Sequence, residues 1–128
     1  MQKPASALRA AGLSHNKLQT VRDLAVKSVD GTVPKFAELH TMTDADVITR
    51  LTAVRGIVRW TAEMLLIFTL GRPDVLPLDD LGIRKGFQRA YGMRGLPAAR
   101  TLERAGRSWA PYCSAASLYL WRAADACL

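Results

Sequence analysis

The stretch that decides the fold runs from Leu51 to Gly86 and reads LTAVRGIVRWTAEMLLIFTLGRPDVLPLDDLGIRKG. It places Gly56 between a periodic segment and the apolar run Trp60–Leu70, which is typical of a tight turn between two helices. A proline-containing connection follows that run and ends in two adjacent aspartates. These aspartates stand in capping position ahead of another helix, about 81–91. The stretch therefore predicts three helices joined by one glycine turn and one extended connection.

The segments on either side of this stretch also have helical periodicity. Ser14 is placed to cap a helix through about Val29, and Thr43 with Asp46 three residues later resembles a capping box. The alternating β-branched runs of strands are nearly absent. We therefore predict an all-α protein with a single domain over residues 1–128. Its last two helices, each with a proline in the first turn, are predicted at about 97–107 and 111–125.

The composition favours an anionic partner. Eighteen lysines and arginines against eleven aspartates and glutamates give a formal net charge of +7, which suits nucleic acid, although a solvated basic surface is an equally good explanation. The chain has neither a transmembrane-length apolar run nor the order of a signal peptide, so we expect a soluble, intracellular protein without a membrane partner. Cys113 and Cys127 have no metal-binding spacing and are expected to be free thiols.

The turn at Gly56 has two interpretations. It would direct the N–H groups at the start of the following helix outward, and backbone donors from about Gly56 to Thr61, flanked by Arg55 and Arg59, would suit a DNA phosphate. It is also compatible with an ordinary helix–turn–helix corner. In the same way, Asp79 and Asp80 are explained from the residues alone as helix caps.

The central stretch resembles the helix-hairpin-helix DNA glycosylases of the HhH-GPD superfamily, in particular the 3-methyladenine DNA glycosylase II branch. The likeness continues upstream through LRAAGLSHNK and downstream through WAPYCSAASLYLWRAAD. It implies an all-α glycosylase bundle with its hairpin motif at about 44–70. It also implies that the chain corresponds to the C-terminal two-thirds of the family's domain, without the N-terminal helices.

The resemblance assigns an enzymatic function to particular residues. Asp80 matches the family's catalytic aspartate, and Trp60 occupies the position at which strand-cutting relatives have a lysine nucleophile. The implied activity is therefore a monofunctional glycosylase that removes alkylated purines such as 3-methyladenine and 7-methylguanine in base excision DNA repair. The alternative is a catalytically impaired DNA-binding remnant. The implied base pocket consists of Trp60, Trp121, Met64 and Leu81.

The resemblance also assigns roles to the hairpin. The family has a second glycine where this chain has Val58, and a β-branched residue in a glycine conformation would carry strain of roughly 1–3 kcal/mol. The family places a monovalent cation, Na+ or K+, on hairpin carbonyls that correspond to Thr52, Val54 and Ile57. No other cofactor is implied. The phosphate-binding residues implied by the resemblance are Arg55, Gly56, Val58, Arg59 and Thr61.

The expected partner is double-stranded DNA with alkylated bases. We expect a monomer, with self-association open through the surface that the absent N-terminal helices would leave exposed. The expected location is the cytoplasm, in association with the nucleoid, if the protein is bacterial, and the nucleus if it is eukaryotic.

Overall fold

A computed structural model describes residues 4–126 of the chain, and within them all regular secondary structure is helical. This confirms the predicted fold class. The helices are α1 (Ala5–Ala10), α2 (His15–Val29), α3 (Phe36–Leu39), α4 (Asp44–Thr52), α5 (Arg59–Phe68), α6 (Leu81–Ala90), α7 (Ala99–Trp109) and α8 (Cys113–Asp125). No helix in the described range has the length and apolar character needed to cross a bilayer.

The chain forms two compact units that divide between Ala62 and Glu63, inside α5. The first contains α1 to α4 and the turn around Gly56 that follows α4, called the hairpin below, and the second contains α6 to α8. Nothing in this division tests the predicted single domain, which stays a prediction.

The caps of the first unit confirm the predicted helix starts. The Ser14 hydroxyl accepts a hydrogen bond from the Lys17 N–H at 3.2 Å, and the Thr43 hydroxyl accepts one from the Asp46 N–H at 3.2 Å. Both bonds satisfy a donor that the first turn of a helix leaves unpaired. The core of this unit is made of Leu18, Leu39, Val47, Leu51 and Val54, which are at most 8% exposed.

The second unit is organised by a close approach of α6 to α8. A Cβ atom added at Gly86 would collide with the backbone carbonyl of Leu120, so only glycine allows the two helices to pack at this distance. The core of this unit consists of Ile83, Phe87, Leu102 and Leu120, and Trp109 packs against it.

Two predicted helix starts are wrong by two residues. Helices α7 and α8 begin at Ala99 and Cys113, with Ala98 and Tyr112 in the N-cap position. Pro97 and Pro111 therefore precede the N-cap instead of lying in the first turn. For Pro97 the reason is tertiary, because this residue is fully buried and its carbonyl accepts two hydrogen bonds from the Arg84 guanidinium, both at 3.1 Å.

Candidate functional site

Asp80 occupies the N-cap of α6 but its side chain does not cap the helix. Its backbone is extended, with φ −72° and ψ 120°, and the carboxylate makes no capping hydrogen bond. The residue is only 8% exposed, whereas the neighbouring Asp79 is exposed. The structure thus separates the two aspartates that the residues alone left equivalent, and it gives Asp80 a contact elsewhere.

That contact is with Trp121 on α8. The indole N–H of Trp121 lies 3.0 Å from one carboxylate oxygen of Asp80 and 3.1 Å from the other, so one donor is shared between both oxygens. A donor to an ionised acceptor makes a strong hydrogen bond, which fixes the orientation of the carboxylate plane. Trp121 was predicted to line a base pocket, and this bond to Asp80 was not predicted.

Gly82 makes room for the bond. A Cβ atom at this position would lie 2.8 Å from Cδ1 of Trp121 and 3.2 Å from its Nε1. Gly82 and Gly86 are one helical turn apart on α6, so one small-residue stripe admits both the Leu120 backbone and the Trp121 indole. The glycines at positions 82 and 86 are the sequence signal that would have predicted this close packing.

Phe68, at the end of α5, is a further site residue that the sequence did not single out. Its ring stacks on Trp121 with centroids 5.7 Å apart and an angle of 25° between planes, and Phe68 is 63% exposed. Met64, one turn earlier on the same helix, is half-buried. The stacked pair presents an aromatic surface beside the Asp80 carboxylate.

The other two predicted pocket residues are exposed. Leu81, which follows Asp80 in the chain, is 52% exposed, and Trp60 in the first turn of α5 is 47% exposed. Each therefore has an accessible apolar surface. The structure brings together Asp80 and Trp121 among the predicted residues of the second unit.

Polar contacts from α8 anchor the segment that leads to Asp80. The Ser114 hydroxyl donates to the Arg72 carbonyl at 2.5 Å and accepts from the Val75 N–H at 3.0 Å. The buried Ser117 hydroxyl lies 3.0 Å from the Val75 carbonyl. These bonds satisfy backbone groups of the proline-containing connection, which has no helix or strand partner of its own.

Cys113 is a structural residue of the same contact region. It is a free thiol, as predicted, and Cys127 lies outside the described residues. The Cys113 thiol donates to the Gly106 carbonyl at 3.3 Å, and its backbone N–H donates to the Asp74 carboxylate at 3.2 Å. Burial, followed by the neighbouring Asp74 carboxylate, raises the pKa of the thiol to about 12, so the thiolate is not formed near neutral pH.

The backbone conformation of the hairpin contradicts the strain expected at Val58. Gly56 has a φ of 85°, and no residue other than glycine has a positive φ in the described range. Val58 is therefore not in a glycine conformation, and the predicted strain at this residue is wrong. Val58 immediately precedes α5, where its carbonyl accepts from the N–H groups of Thr61 and Ala62 at 3.1 and 3.3 Å. A residue at negative φ accommodates a β-branched side chain without this strain.

Hydrogen bonds within the first unit narrow the set of backbone donors that the hairpin offers to a phosphate. The N–H of Ile57 donates to the Val54 carbonyl at 3.1 Å, and that of Thr61 donates to Val58. The Arg55 N–H donates to the Asp23 carboxylate. The amides of Gly56 and Val58 remain as donors, while Thr61 presents an exposed hydroxyl and Arg55 and Arg59 present exposed side chains.

Asp23 and Lys27 of α2 contact the hairpin directly. One oxygen of Asp23 accepts from the Arg55 N–H at 2.6 Å and from the Lys27 ammonium at 2.8 Å. The same ammonium donates to the Ala53 carbonyl at 2.6 Å. The hydrogen bond from the Arg55 N–H, followed by that from Lys27, lowers the pKa of the Asp23 carboxyl.

The carbonyls of the implied cation site belong to the same turn as these contacts. The carbonyl oxygens of Thr52, Val54 and Ile57 are hard ligands that suit an alkali cation. However, the Lys27 ammonium already lies on the carbonyl of Ala53 in the same turn. A positive charge, balanced by the Asp23 carboxylate, is thus already present at this turn. Within residues 4–126, no group of His, Cys, Asp and Glu side chains has an arrangement suited to a metal ion.

The chain is similar in sequence and in structure to known DNA glycosylases. The chain is 37% identical over 115 residues to DNA-3-methyladenine glycosylase 1 of Schizosaccharomyces pombe, a match that covers 90% of this chain and 50% of that protein. The structure is similar to that of the Schizosaccharomyces pombe 3-methyladenine DNA glycosylase Mag1 in complex with abasic DNA, with a TM-score of 0.87 and 35% identity. That similarity covers 97% of this chain and 60% of the other.

A third similarity is to a DNA-3-methyladenine glycosidase from Bacillus halodurans, with a TM-score of 0.85 and 40% identity. It covers 96% of this chain and 56% of that one, so the chain spans about half to three-fifths of these relatives. The model of the HhH-GPD superfamily base excision DNA repair proteins matches residues 2–111. This match extends over most of the chain, and the chain therefore belongs to the HhH-GPD superfamily.

Proposed function

We propose that the protein is a monofunctional DNA glycosylase that removes alkylated purines, including 3-methyladenine and 7-methylguanine, during base excision repair. The observation that carries this proposal is the buried Asp80 carboxylate, oriented through both of its oxygens by the Trp121 indole N–H. The names of the relatives support the glycosylase class and 3-methyladenine as a substrate.

The chemical role proposed for Asp80 is electrostatic. When an alkylated base leaves, positive charge develops on the sugar, and a fixed carboxylate beside it stabilises this transition state. Asp80 lies at the N-terminal end of α6, where the helix dipole favours negative charge. The Trp121 bond holds the carboxylate before the reaction begins, so no reorganisation is needed when the charge appears. We propose that the same carboxylate also orients the attacking water.

The aromatic groups supply the proposed preference for alkylated bases. An alkylated purine is electron-poor or cationic, and the face of an indole attracts such a ring beyond simple apolar burial. Within the second unit the exposed surface of Phe68 is the candidate for this stacking, while Met64 and Leu81 supply aliphatic surface. Because Trp60 stands where a lyase needs an amine, the proposed product is an abasic site in an uncut strand.

The hairpin supplies the proposed contact with the DNA backbone. Its exposed arginines and the Gly56 and Val58 amides suit phosphate oxygens, and such contacts position a protein without reading sequence. The net charge of +7 favours association with a polyanion. The reaction itself requires a carboxylate and water, so we propose that no cofactor takes part in it.

The test is release of free base from alkylated duplex DNA, measured for the wild type and for Asp80→Asn. Asparagine keeps the size of the side chain but removes its charge, so we expect base release to fall by about 10²-fold or more. Asp79→Asn is the matched control, because it removes the same charge from the exposed neighbour. Thermal melting of all three proteins shows whether the variants are folded.

Each outcome has a defined meaning. Equal base release by Asp80→Asn and the wild type would refute the role of this carboxylate. Strand cleavage without added alkali would refute the monofunctional assignment. Binding of DNA by a folded wild type that releases no base would favour the alternative, a non-catalytic helix-hairpin-helix DNA-binding protein.

A further inference from the structure

Two charged side chains of α2, Asp23 and Lys27, form hydrogen bonds to the backbone of the hairpin. The Asp23 carboxylate accepts from the Arg55 N–H at 2.6 Å, and the Lys27 ammonium donates to the Ala53 carbonyl at 2.6 Å. The two side chains also contact each other at 2.8 Å and are only 25% and 27% exposed. One carboxylate and one ammonium thus bind a backbone donor and a backbone acceptor that are two residues apart in the hairpin.

The chemistry of each contact fits its place in the hairpin. Ala53 is the C-cap of α4, where carbonyl oxygens lack helical partners and the dipole favours a positive charge. The Arg55 N–H precedes Gly56 and has no helical acceptor. A cation on Ala53 and an anion on Arg55 therefore satisfy both groups at once, while the i,i+4 spacing on α2 keeps the two side chains together.

A steric contact acts at the same place. A Cβ atom added at Gly56 would collide with the Thr20 hydroxyl, so α2 packs against the hairpin at its left-handed residue. Thr20, Asp23 and Lys27 lie at spacings of three and four on α2 and share one face. This face follows the hairpin from Ala53 through Gly56.

We propose that Asp23 and Lys27 are positioning residues that hold the hairpin in its DNA-binding geometry, and that the Lys27 ammonium takes the place of a bound alkali cation at the hairpin carbonyls. This proposal rests on the proposed function for the hairpin's role in binding DNA. The contacts of the pair with Ala53 and Arg55 do not depend on it.

The proposal has a consequence for ion dependence. The Lys27 ammonium already supplies a positive charge to the carbonyl side of this turn, and the Asp23 carboxylate balances that charge at 2.8 Å. The wild-type hairpin therefore does not need an alkali cation. Removal of the ammonium leaves the carbonyls without a charge partner, and the carbonyls of Thr52, Val54 and Ile57 then become a site that Na+ or K+ can fill.

The first experiment measures the affinity of the whole chain for undamaged duplex DNA in three chloride salts at equal ionic strength. The cations are Na+, K+ and N-methylglucammonium, which is too large for a carbonyl site. We expect the wild type to bind equally in all three. We expect Lys27→Met to bind about fivefold more weakly in the large organic cation, because one charge-assisted bond at a partly exposed site is lost. We expect its affinity to recover in Na+ or K+.

Two further variants separate positioning from simple loss of charge. Lys35→Met removes one positive charge from an exposed site of the same unit, and we expect it to weaken binding equally in all three salts. Lys27→Arg keeps a donor that reaches the same groups, and we expect it to restore ion-independent binding. Wild-type affinity that differs between Na+ and the large cation would overturn the proposal, as would identical behaviour of Lys27→Met and Lys35→Met.

The second experiment needs no DNA. The Arg55 amide proton is hydrogen-bonded to the Asp23 carboxylate. The NMR chemical shift of this proton is therefore followed as the pH falls. The charged groups near this carboxylate are Lys27, Arg55, Arg22 and Asp30. Lys27 is among the causes that lower the pKa of Asp23, and the Arg55 resonance is therefore expected to titrate at higher pH in Lys27→Met than in the wild type.

The DNA-binding experiment and the Arg55 titration test different parts of the proposal. A wild type that does not bind duplex DNA even at low salt would refute the proposed role in DNA binding, and the Arg55 titration would then decide whether the pair holds the hairpin. An Arg55 resonance that titrates identically in the wild type and in Lys27→Met would overturn the positioning role itself, whatever the DNA affinity.

Discussion

Substitution of Gly82 by alanine perturbs the link between Asp80 and Trp121 without removing either group. The added Cβ would lie 2.8 Å from Cδ1 of the Trp121 indole. Carbon atoms in contact are about 3.6 Å apart, so the indole must move by about 0.8 Å. The Phe68 ring stacked on Trp121 restricts the direction of this movement. Movement away from Gly82 is also movement away from the carboxylate, because both lie at the start of α6.

The expected loss of rate in Gly82→Ala follows from the geometry of the hydrogen bond between Trp121 and Asp80. The indole N–H is 3.0 and 3.1 Å from the two Asp80 oxygens, and a shift of about 0.8 Å lengthens both separations beyond hydrogen-bonding distance. A hydrogen bond to a charged group contributes about 1.5–3 kcal/mol. If this orientation is used in the transition state, the single-turnover rate of base release falls by about 10- to 100-fold. Affinity for undamaged DNA should not change.

The assay compares Gly82→Ala with Gly95→Ala, a loop glycine at which an added Cβ has no neighbour within 4 Å. Alanine in a helix is favoured over glycine by about 0.5–1 kcal/mol. This gain offsets part of the steric cost of the new Cβ, so a slow rate of base release in Gly82→Ala would not be explained by unfolding. Trp121→Phe removes the donor, so the double variant should be no slower than Trp121→Phe alone. A folded Gly82→Ala protein with the wild-type rate would refute the role of this bond.

Three other predictions concern stability. Val58→Gly should lower the free energy of unfolding by about 0.5–1 kcal/mol, because Val58 has no positive φ to relieve and glycine enlarges the unfolded ensemble; a higher melting temperature would contradict this. Gly86→Ala should destabilise the protein by more than about 3 kcal/mol in chemical denaturation, since the new Cβ meets the Leu120 backbone; a near-neutral effect would show that α6 and α8 separate easily. The Cys113 thiol has a folded pKa of about 12, above its unfolded value. Its stabilising contribution is therefore complete below the unfolded pKa and is lost as pH rises above it, so Cys113→Ala should reduce the alkaline fall in melting temperature.

Local signals predicted much of the fold. Ser14 and Thr43 cap helices through bonds to residues three positions later, and such contacts depend only on neighbouring sequence. Helix α6 begins at Leu81 as expected. Prolines were less reliable, because Pro97 also serves a buried contact with Arg84 that no local pattern contains.

The candidate site was predictable only in part. Resemblance selected Asp80 from two equivalent aspartates, and the structure buries that one. The partner, Trp121, is 41 residues away in the chain, and its bond depends on the approach of α8 to α6. Likewise, Lys27 reaches a carbonyl 26 residues away. Such pairs follow from how helices pack, and periodicity within one helix does not specify them.

Asp80 is the N-cap residue of α6, a position at which the side chain normally accepts a hydrogen bond from the first turn of the helix. Serine or threonine there would cap α6 and contribute about 1 kcal/mol to folding, but Asp80 directs its carboxylate to Trp121. Such a replacement would exchange the bond with Trp121, which contributes about 1.5–3 kcal/mol, for the cap, and it would remove the charge on which the proposed chemistry depends. A screen for stability registers only the difference between these two contributions, so it needs a parallel screen for base release to detect the loss of the carboxylate.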